Sequence, residues 1–208
     1  NDVYFKNSFI YAATDEVIMF ADLNNVNVLD YRNWTKIENI PNFNKKFNFL
    51  EVHSGSLIAN HTPDGNNGAQ LYLLEDNSWS SYLPQINYIR DIQSDGNYLV
   101  ITGRSEIYLA DNMHTILGQI NYYQLNDERI SPINPRSAGV SSDGFIWIAD
   151  FEKSLIRVSG DNFESISLNG PLDNQMFALN ANSTDLWIAA GGRSDSWNNT
   201  WQLPRFQH

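Results

Sequence analysis

The chain has 208 residues, of which 42% are hydrophobic and 13% aromatic, enough to build a real core. A net charge of −11 excludes the basic footprint that non-specific nucleic-acid binding needs, so no nucleic-acid partner is expected. There is no cysteine, which excludes disulfides and thiol chemistry, and no apolar stretch approaches the length of a membrane span.

The first predicted strands are Val3-Tyr4-Phe5, Ile10-Tyr11-Ala12-Ala13, Glu16-Val17-Ile18-Met19-Phe20 and Trp34-Thr35-Lys36-Ile37. The same order returns as Phe49-Leu50-Glu51-Val52, Leu57-Ile58-Ala59-Asn60, Gln70-Leu71-Tyr72-Leu73-Leu74 and Trp79-Ser80-Ser81-Tyr82. A third set runs Ile89-Arg90-Asp91-Ile92, Leu99-Val100-Ile101-Thr102 and Glu106-Ile107-Tyr108-Leu109-Ala110. A fourth runs Ser137-Ala138-Gly139-Val140, Ile146-Trp147-Ile148-Ala149, Leu155-Ile156-Arg157-Val158 and Phe163-Glu164-Ser165-Ile166. The fifth has Met176-Phe177-Ala178-Leu179 and Leu186-Trp187-Ile188-Ala189, then an atypical continuation at residues 196–202. The second strands begin at residues 10, 57, 99, 146 and 186, intervals of 47, 42, 47 and 40. Polar turns such as Ser94-Asp95-Gly96-Asn97 join the first and second strands, a hairpin signal.

A period of about 40 to 50 residues with four strands per unit predicts an all-β β-propeller of four-stranded antiparallel meander blades. About five blades are expected, at residues 1–46, 47–86, 87–135, 136–173 and 174–208, the last incomplete. An open ring would leave strand edges unpaired, so the chain is expected to be a segment of a longer propeller protein. The second strands are continuous apolar runs because a blade's middle strand is covered on both faces, whereas outer strands such as Trp34-Thr35-Lys36-Ile37 alternate. Very little helix is expected.

In a meander blade the loops after the second and fourth strands share one end of the sheet, and the turns after the first and third share the other. Lys45, Lys46, Arg104, Arg136, Lys153 and Arg193 fall at the first end, Lys6 and Arg32 at the second. The cation-rich end also carries the longer loops, where binding residues concentrate. The competing reading is solvated loop charge, with Asp150, Glu152, Asp173 and Asp195 nearby to neutralise it.

His53, His61, His114 and His208 lack metal-site spacing and are read as surface residues, so no metal or other cofactor is expected. The Asp64–Gly68 stretch lacks the ligand pattern of a calcium loop and is read as a polar turn. Four Asn-X-Thr triplets, at residues 33, 60, 182 and 198, would matter only in a eukaryotic secreted protein. Trp147 and Trp187 occupy equivalent second-strand positions and are read as inter-blade core. Trp197 and Trp201 lie where the repeat breaks, and two readings stand side by side: a functional or interface segment, or a redirected third strand.

Ser142-Asp143-Gly144-Phe145-Ile146-Trp147-Ile148-Ala149-Asp150, followed by Ser154-Leu155-Ile156-Arg157, resembles the two-component regulator propeller repeat. Residues 169–174 leading into Leu186-Trp187-Ile188-Ala189-Ala190-Gly191-Gly192-Arg193 and Trp197-Asn198-Asn199 resemble the propeller region of PorZ-like proteins of the Bacteroidetes type IX secretion system. The likeness covers residues 136–202. It implies a periplasmic or cell-surface protein that works with the C-terminal-signal sortase and presents anionic lipopolysaccharide. The cation-rich end would then contact an anionic glycan or protein partner through Arg104, Arg193 and Trp197, with Lys45, Lys46 and Arg136 adding attraction. A rival is the periplasmic glycan-sensing propeller of a hybrid two-component regulator. A propeller lyase or hydrolase would need a catalytic cluster at the first strands, where the ionisable acids are Glu51 and Asp91, and a non-catalytic module is expected instead.

Overall fold

A computed structural model of the chain describes residues 2–63, 68–166, 176–181, 186–190, 196, 198–199 and 205–207. It divides into two compact units, Asn1–Ile166 and Ser167–His208. The first unit holds four antiparallel sheets, each a meander of four consecutive strands. The first sheet has β1 (Val3–Lys6), β2 (Phe9–Ala13), β3 (Ile18–Asp22) and β4 (Thr35–Lys36). The second has β5 (Phe47–His53), β6 (Ser56–His61), β7 (Gln70–Glu75) and β8 (Ser78–Tyr82). The third has β9 (Asp91–Ser94), β10 (Leu99–Thr102), β11 (Ile107–Ala110) and β12 (Ile116–Ile120). A short hairpin, β13 (Tyr123–Leu125) and β14 (Glu128–Ile130), precedes the fourth sheet: β15 (Pro135–Val140), β16 (Ile146–Asp150), β17 (Ser154–Ser159) and β18 (Asn162–Ile166).

The second unit has one described sheet, in the order β19 (Met176–Ala181), β20 (Leu186–Ala190) and β21 (Arg205–Gln207). Its third strand, Arg205–Gln207, follows the 196–202 stretch, of which residues 197 and 200–202 lie outside the described residues. Four-stranded meanders repeated at this interval are β-propeller blades, and the one helical segment described is a single turn at Tyr31–Asn33.

Each joint between neighbouring sheets of the first unit has its own apolar cluster. Ala13 and Ile18 meet Phe47, Leu50, Ala59 and Tyr72 at the first joint. Ile58, Leu71 and Leu73 meet Ile92, Leu99 and Ile101 at the second, and Val100 and Ile107 meet Ala138, Ile148 and Ile156 at the third. Adjacent residues Ile58 and Ala59 thus serve opposite joints, as do Val100 and Ile101. That is why β6 and β10 carry no polar alternation: with period-2 side chains, both faces are buried.

Turn chemistry sets the registers. Ser54 and Gly55 have φ of +48° and +81°, Asp76 and Asn77 +46° and +63°, and Asn126 and Asp127 +48° and +64°. Two successive left-handed residues match the twist of a tight hairpin, which selects Gly, Asn, Asp and Ser at these places.

The hairpin β13–β14 was not legible in the sequence, its strands being three residues each. Tyr123 is fully buried and donates its hydroxyl to Asp150 Oδ2 at 3.0 Å. Asp150, expected among the neutralising loop charges, is itself buried and also accepts N–H bonds from Asn134 at 2.9 Å, Glu152 at 2.9 Å and Lys153 at 3.0 Å. Burial and the neighbouring carboxylate push the Tyr123 phenol well above its ordinary value. A carboxylate that satisfies four donors organises the end of β16 and its connections. Asp150→Ala should cost roughly 3 kcal/mol, since buried donors lose their acceptor, and Tyr123→Phe about 1 kcal/mol. Urea unfolding midpoints check both.

Candidate functional site

The end of the sheets carrying the 37–46, 62–69, 83–90, 103–106 and 151–153 connections holds the candidate cations. The structure gathers them into two groups. Lys45 and Lys46 border a cleft of about 480 Å³ with Asp15, His61 and Pro63. His61 is buried and its Nδ1 lies 2.6 Å from the Lys46 carbonyl, while Asn42 donates to Gln70 Oε1 at 2.8 Å, so the lysine-bearing loop is held to the second sheet. Lys46 is half neutralised by Asp15 at 3.4 Å, an exposed pair that contributes little to stability.

The second group lies at the third joint. The Arg104 guanidinium sits 5.4 Å over the Tyr88 ring and that of Arg90 5.7 Å over the same ring. Arg90 Nη1 donates to Asn134 Oδ1 at 2.7 Å and to the Pro135 carbonyl, so it is spent on fastening the fourth sheet. Arg104 is free of such work and exposed. Its turn is kept tight by Glu106, which accepts from the Ser105 N–H at 3.2 Å and hydroxyl at 3.1 Å. A Cβ on Gly103 would meet that folded-back carboxylate, so any larger residue there would make the Glu106 side chain move aside.

Arg136 is presented by a β-bulge. The register of β15 against β16 runs from Pro135↔Asp150 to Ser137↔Ala149 and skips residue 136. An unpaired residue in a bulge points its side chain away from the ladder, and here the guanidinium lies 4.5 Å over Phe151, which is 69% exposed. Among the described residues neither Arg104 nor Arg136 has an acidic partner within 4 Å. Tyr88 and Phe151, which hold these guanidiniums by cation–π attraction, were not singled out from the sequence. Their signal is weak because each meets its arginine across a loop. Arg193 and Trp197 lie outside the described residues.

A second cleft, also about 480 Å³, runs along the first strands and is lined by Asp2, Tyr4, Lys46, Asn48, Glu51, Asp91 and Gln93. Its acids are occupied. Asp2 Oδ2 accepts the Leu50 N–H at 3.0 Å, Asp91 accepts from Ser137 Oγ and from Gln93 at 3.1 Å, and Glu51 Oε1 accepts the Val52 N–H at 2.9 Å. Tyr4 bonds to Glu51, and burial together with that carboxylate pushes the Tyr4 phenol up to about 12. Among the described residues no group of three or more His, Asp or Glu side chains could hold a metal ion.

The expected surface histidines require correction. His53, His61 and His114 are buried or nearly so, because each spends its ring nitrogens or ring face on a neighbouring element. Asn60 is wholly buried, so the triplet at residue 60 is no glycosylation acceptor. Trp187 is 48% exposed where core was expected, while Trp147 is half-buried and donates Nε1–H to Ser141 Oγ at 3.0 Å. Residues 64–67 of the polar turn lie outside the described residues.

No protein-family model matches the chain, and no curated protein matches it. Among solved structures it is similar to PorZ, an essential bacterial surface component of the type-IX secretion system of Porphyromonas gingivalis. The identity is 16% and the TM-score 0.62, over 90% of this chain and 24% of PorZ. YCF48 bound to D1 peptide is similar at 15% identity and TM-score 0.55, over 91% of this chain and 60% of that one. The extracellular domain of the putative one-component system BT4673 from B. thetaiotaomicron is similar at 14% identity and TM-score 0.53, over 92% and 25%. At such identities the likeness establishes the β-propeller fold. The chain spans about a quarter of PorZ.

Burial raises Glu51 above the ordinary carboxyl value, the Tyr4 and N–H bonds opposing it. The folded chain then keeps that proton to a higher pH than the unfolded chain does. The stability linked to Glu51 is present below about pH 4.3, the unfolded value, and is lost as pH rises through the folded one. Glu51→Gln should therefore raise the urea midpoint at pH 7 and flatten its pH dependence between pH 4 and 7.

Proposed function

We propose that the chain is a non-catalytic interaction module of an extracytoplasmic bacterial protein that takes an anionic glycan on the loop end bearing Arg104 and Arg136. One observation carries this reading: two exposed guanidiniums, each held over an aromatic ring, with no acidic partner among the described residues. A planar fork fixed in place loses little entropy on meeting a phosphate or carboxylate, and arginine and aromatic residues together are the side chains that dominate binding energy at interfaces. Lys45 and Lys46, farther along the same end, add long-range attraction that salt screens.

The likeness to PorZ, a surface component of a secretion system, supports an extracytoplasmic setting. The second reading is a glycan-sensing propeller, which differs in the domains attached and not in the chemistry of this end; the likeness to the extracellular domain of the putative one-component system BT4673 supports its extracellular setting.

Each charge-assisted bond to arginine contributes about 1.5–3 kcal/mol. Arg104→Glu combined with Arg136→Glu should weaken binding of a phosphorylated lipopolysaccharide by about tenfold or more at low salt, with an unchanged unfolding midpoint. Calorimetric titration against intact and dephosphorylated lipopolysaccharide measures this. Equal affinity of the double variant and the parent chain would remove the proposal.

A further inference from the structure

At the opposite end of the same sheets, the second joint is closed by a reciprocal pair of histidines. His53, the last residue of β5, is fully buried and reaches into the third sheet. Its Nε2 lies 2.8 Å from the Asp111 carbonyl and its Nδ1 2.8 Å from Ser94 Oγ. A carbonyl only accepts, so Nε2 carries the hydrogen, and in the neutral ring Nδ1 accepts from the serine hydroxyl. The bonds therefore fix one neutral tautomer.

His114, in the turn between β11 and β12, reaches back the other way. Its ring meets His53 edge-on at 5.2 Å and Tyr82 at 5.8 Å, and its carbonyl accepts the Tyr82 hydroxyl at 3.1 Å. His114 Nδ1 is buried with no hydrogen-bond partner.

We propose that His53 and His114 form an acid-sensitive clasp, holding the second and third sheets together while the His114 ring is neutral and loosening that end of the joint when His114 takes up a proton. A proton on His114 Nδ1 would create a buried donor without an acceptor.

The groups that oppose this are weak. Glu75, 3.8 Å from His114 Nε2, has a side chain 56% exposed and is screened by water. The Asp111 carboxylate is engaged with the Met113 N–H at 2.9 Å and the Thr115 N–H at 2.8 Å. Glu51, on the same strand as His53, accepts the Ser94 backbone N–H. Burial first, and the neighbouring His53 second, push His114 below the ordinary histidine value, against the pull of Glu75 and Asp111. An opened joint therefore binds a proton on His114 that the closed joint resists, and opening grows as pH falls below about 6.5, by up to about tenfold per pH unit.

Amide hydrogen exchange on the whole chain, corrected for intrinsic rates, tests the clasp. Protection at residues 53–57 and 111–116 should fall several-fold between pH 7 and 5.5, while residues 10–13 and 18–21 of the first sheet hold theirs. His114→Phe, which keeps an aromatic edge at the joint, should abolish that local pH response. Imidazole nitrogen spectra of the parent chain should show His53 protonated at Nε2 and His114 titrating below the ordinary value. Equal acid response in both regions, a full response in His114→Phe, or His114 titrating at or above the ordinary value would each overturn the proposal. Should His114→Phe fail to fold, the parent chain's exchange and ring titration decide it alone.

Discussion

A blade that buries both faces of its middle strands cannot be stable by itself, and every other feature of the first unit follows from how its sheets share those faces. The apolar clusters at the three joints hold neighbouring sheets together without direction. Direction comes from polar bonds laid across the joints. Asp2 takes the Leu50 N–H and Tyr4 bonds Glu51 at the first, His53 reaches Ser94 and Asp111 at the second, and Ser137 meets Asp91 while Arg90 reaches Asn134 and Pro135 at the third. An apolar face tolerates sliding; a buried donor that must find its acceptor does not.

The same division of labour positions the candidate site. Arg90 and Arg104 stand over one tyrosine, yet Arg90 is consumed by the joint and Arg104 is left to the solvent. Arg136 follows immediately after the segment that Arg90 fastens, and the bulge in β15 frees it from the ladder. Similar register shifts fall between Phe47 and Phe49 in β5 and between Met176 and Ala178 in β19. The bulge thus recurs in the first strands of three sheets, and in β5 it places Asn48 along the inner cleft.

Much of this was legible in the residues. The alternation of turn pairs with apolar runs located the second strands, and Ser54-Gly55 and Asp143-Gly144 marked their hairpins. What escaped was short or irregular. β12 contains Gly118 and a register shift against β11, and β13 and β14 have three residues each, too few for a period to register. The histidines were misjudged for a different reason. A turn position such as His53 or His114 is exposed within its own blade and becomes buried only when the next blade arrives.

Sequence alone determined the order and spacing of the repeated first and second strands, because a two-residue period and a repeated turn are local properties that each unit carries within itself. The expected cover on both faces holds for β6 and β10, whereas β2 and β16 are only partly covered. Tertiary structure decided which side chains meet: His53 with Asp111, 58 positions away, and Arg90 with Pro135, 45 away. It likewise decided which cations remain free. Those outcomes depend on the stacking of separate sheets, where partners are chosen by geometry across a joint, and no local pattern encodes that choice.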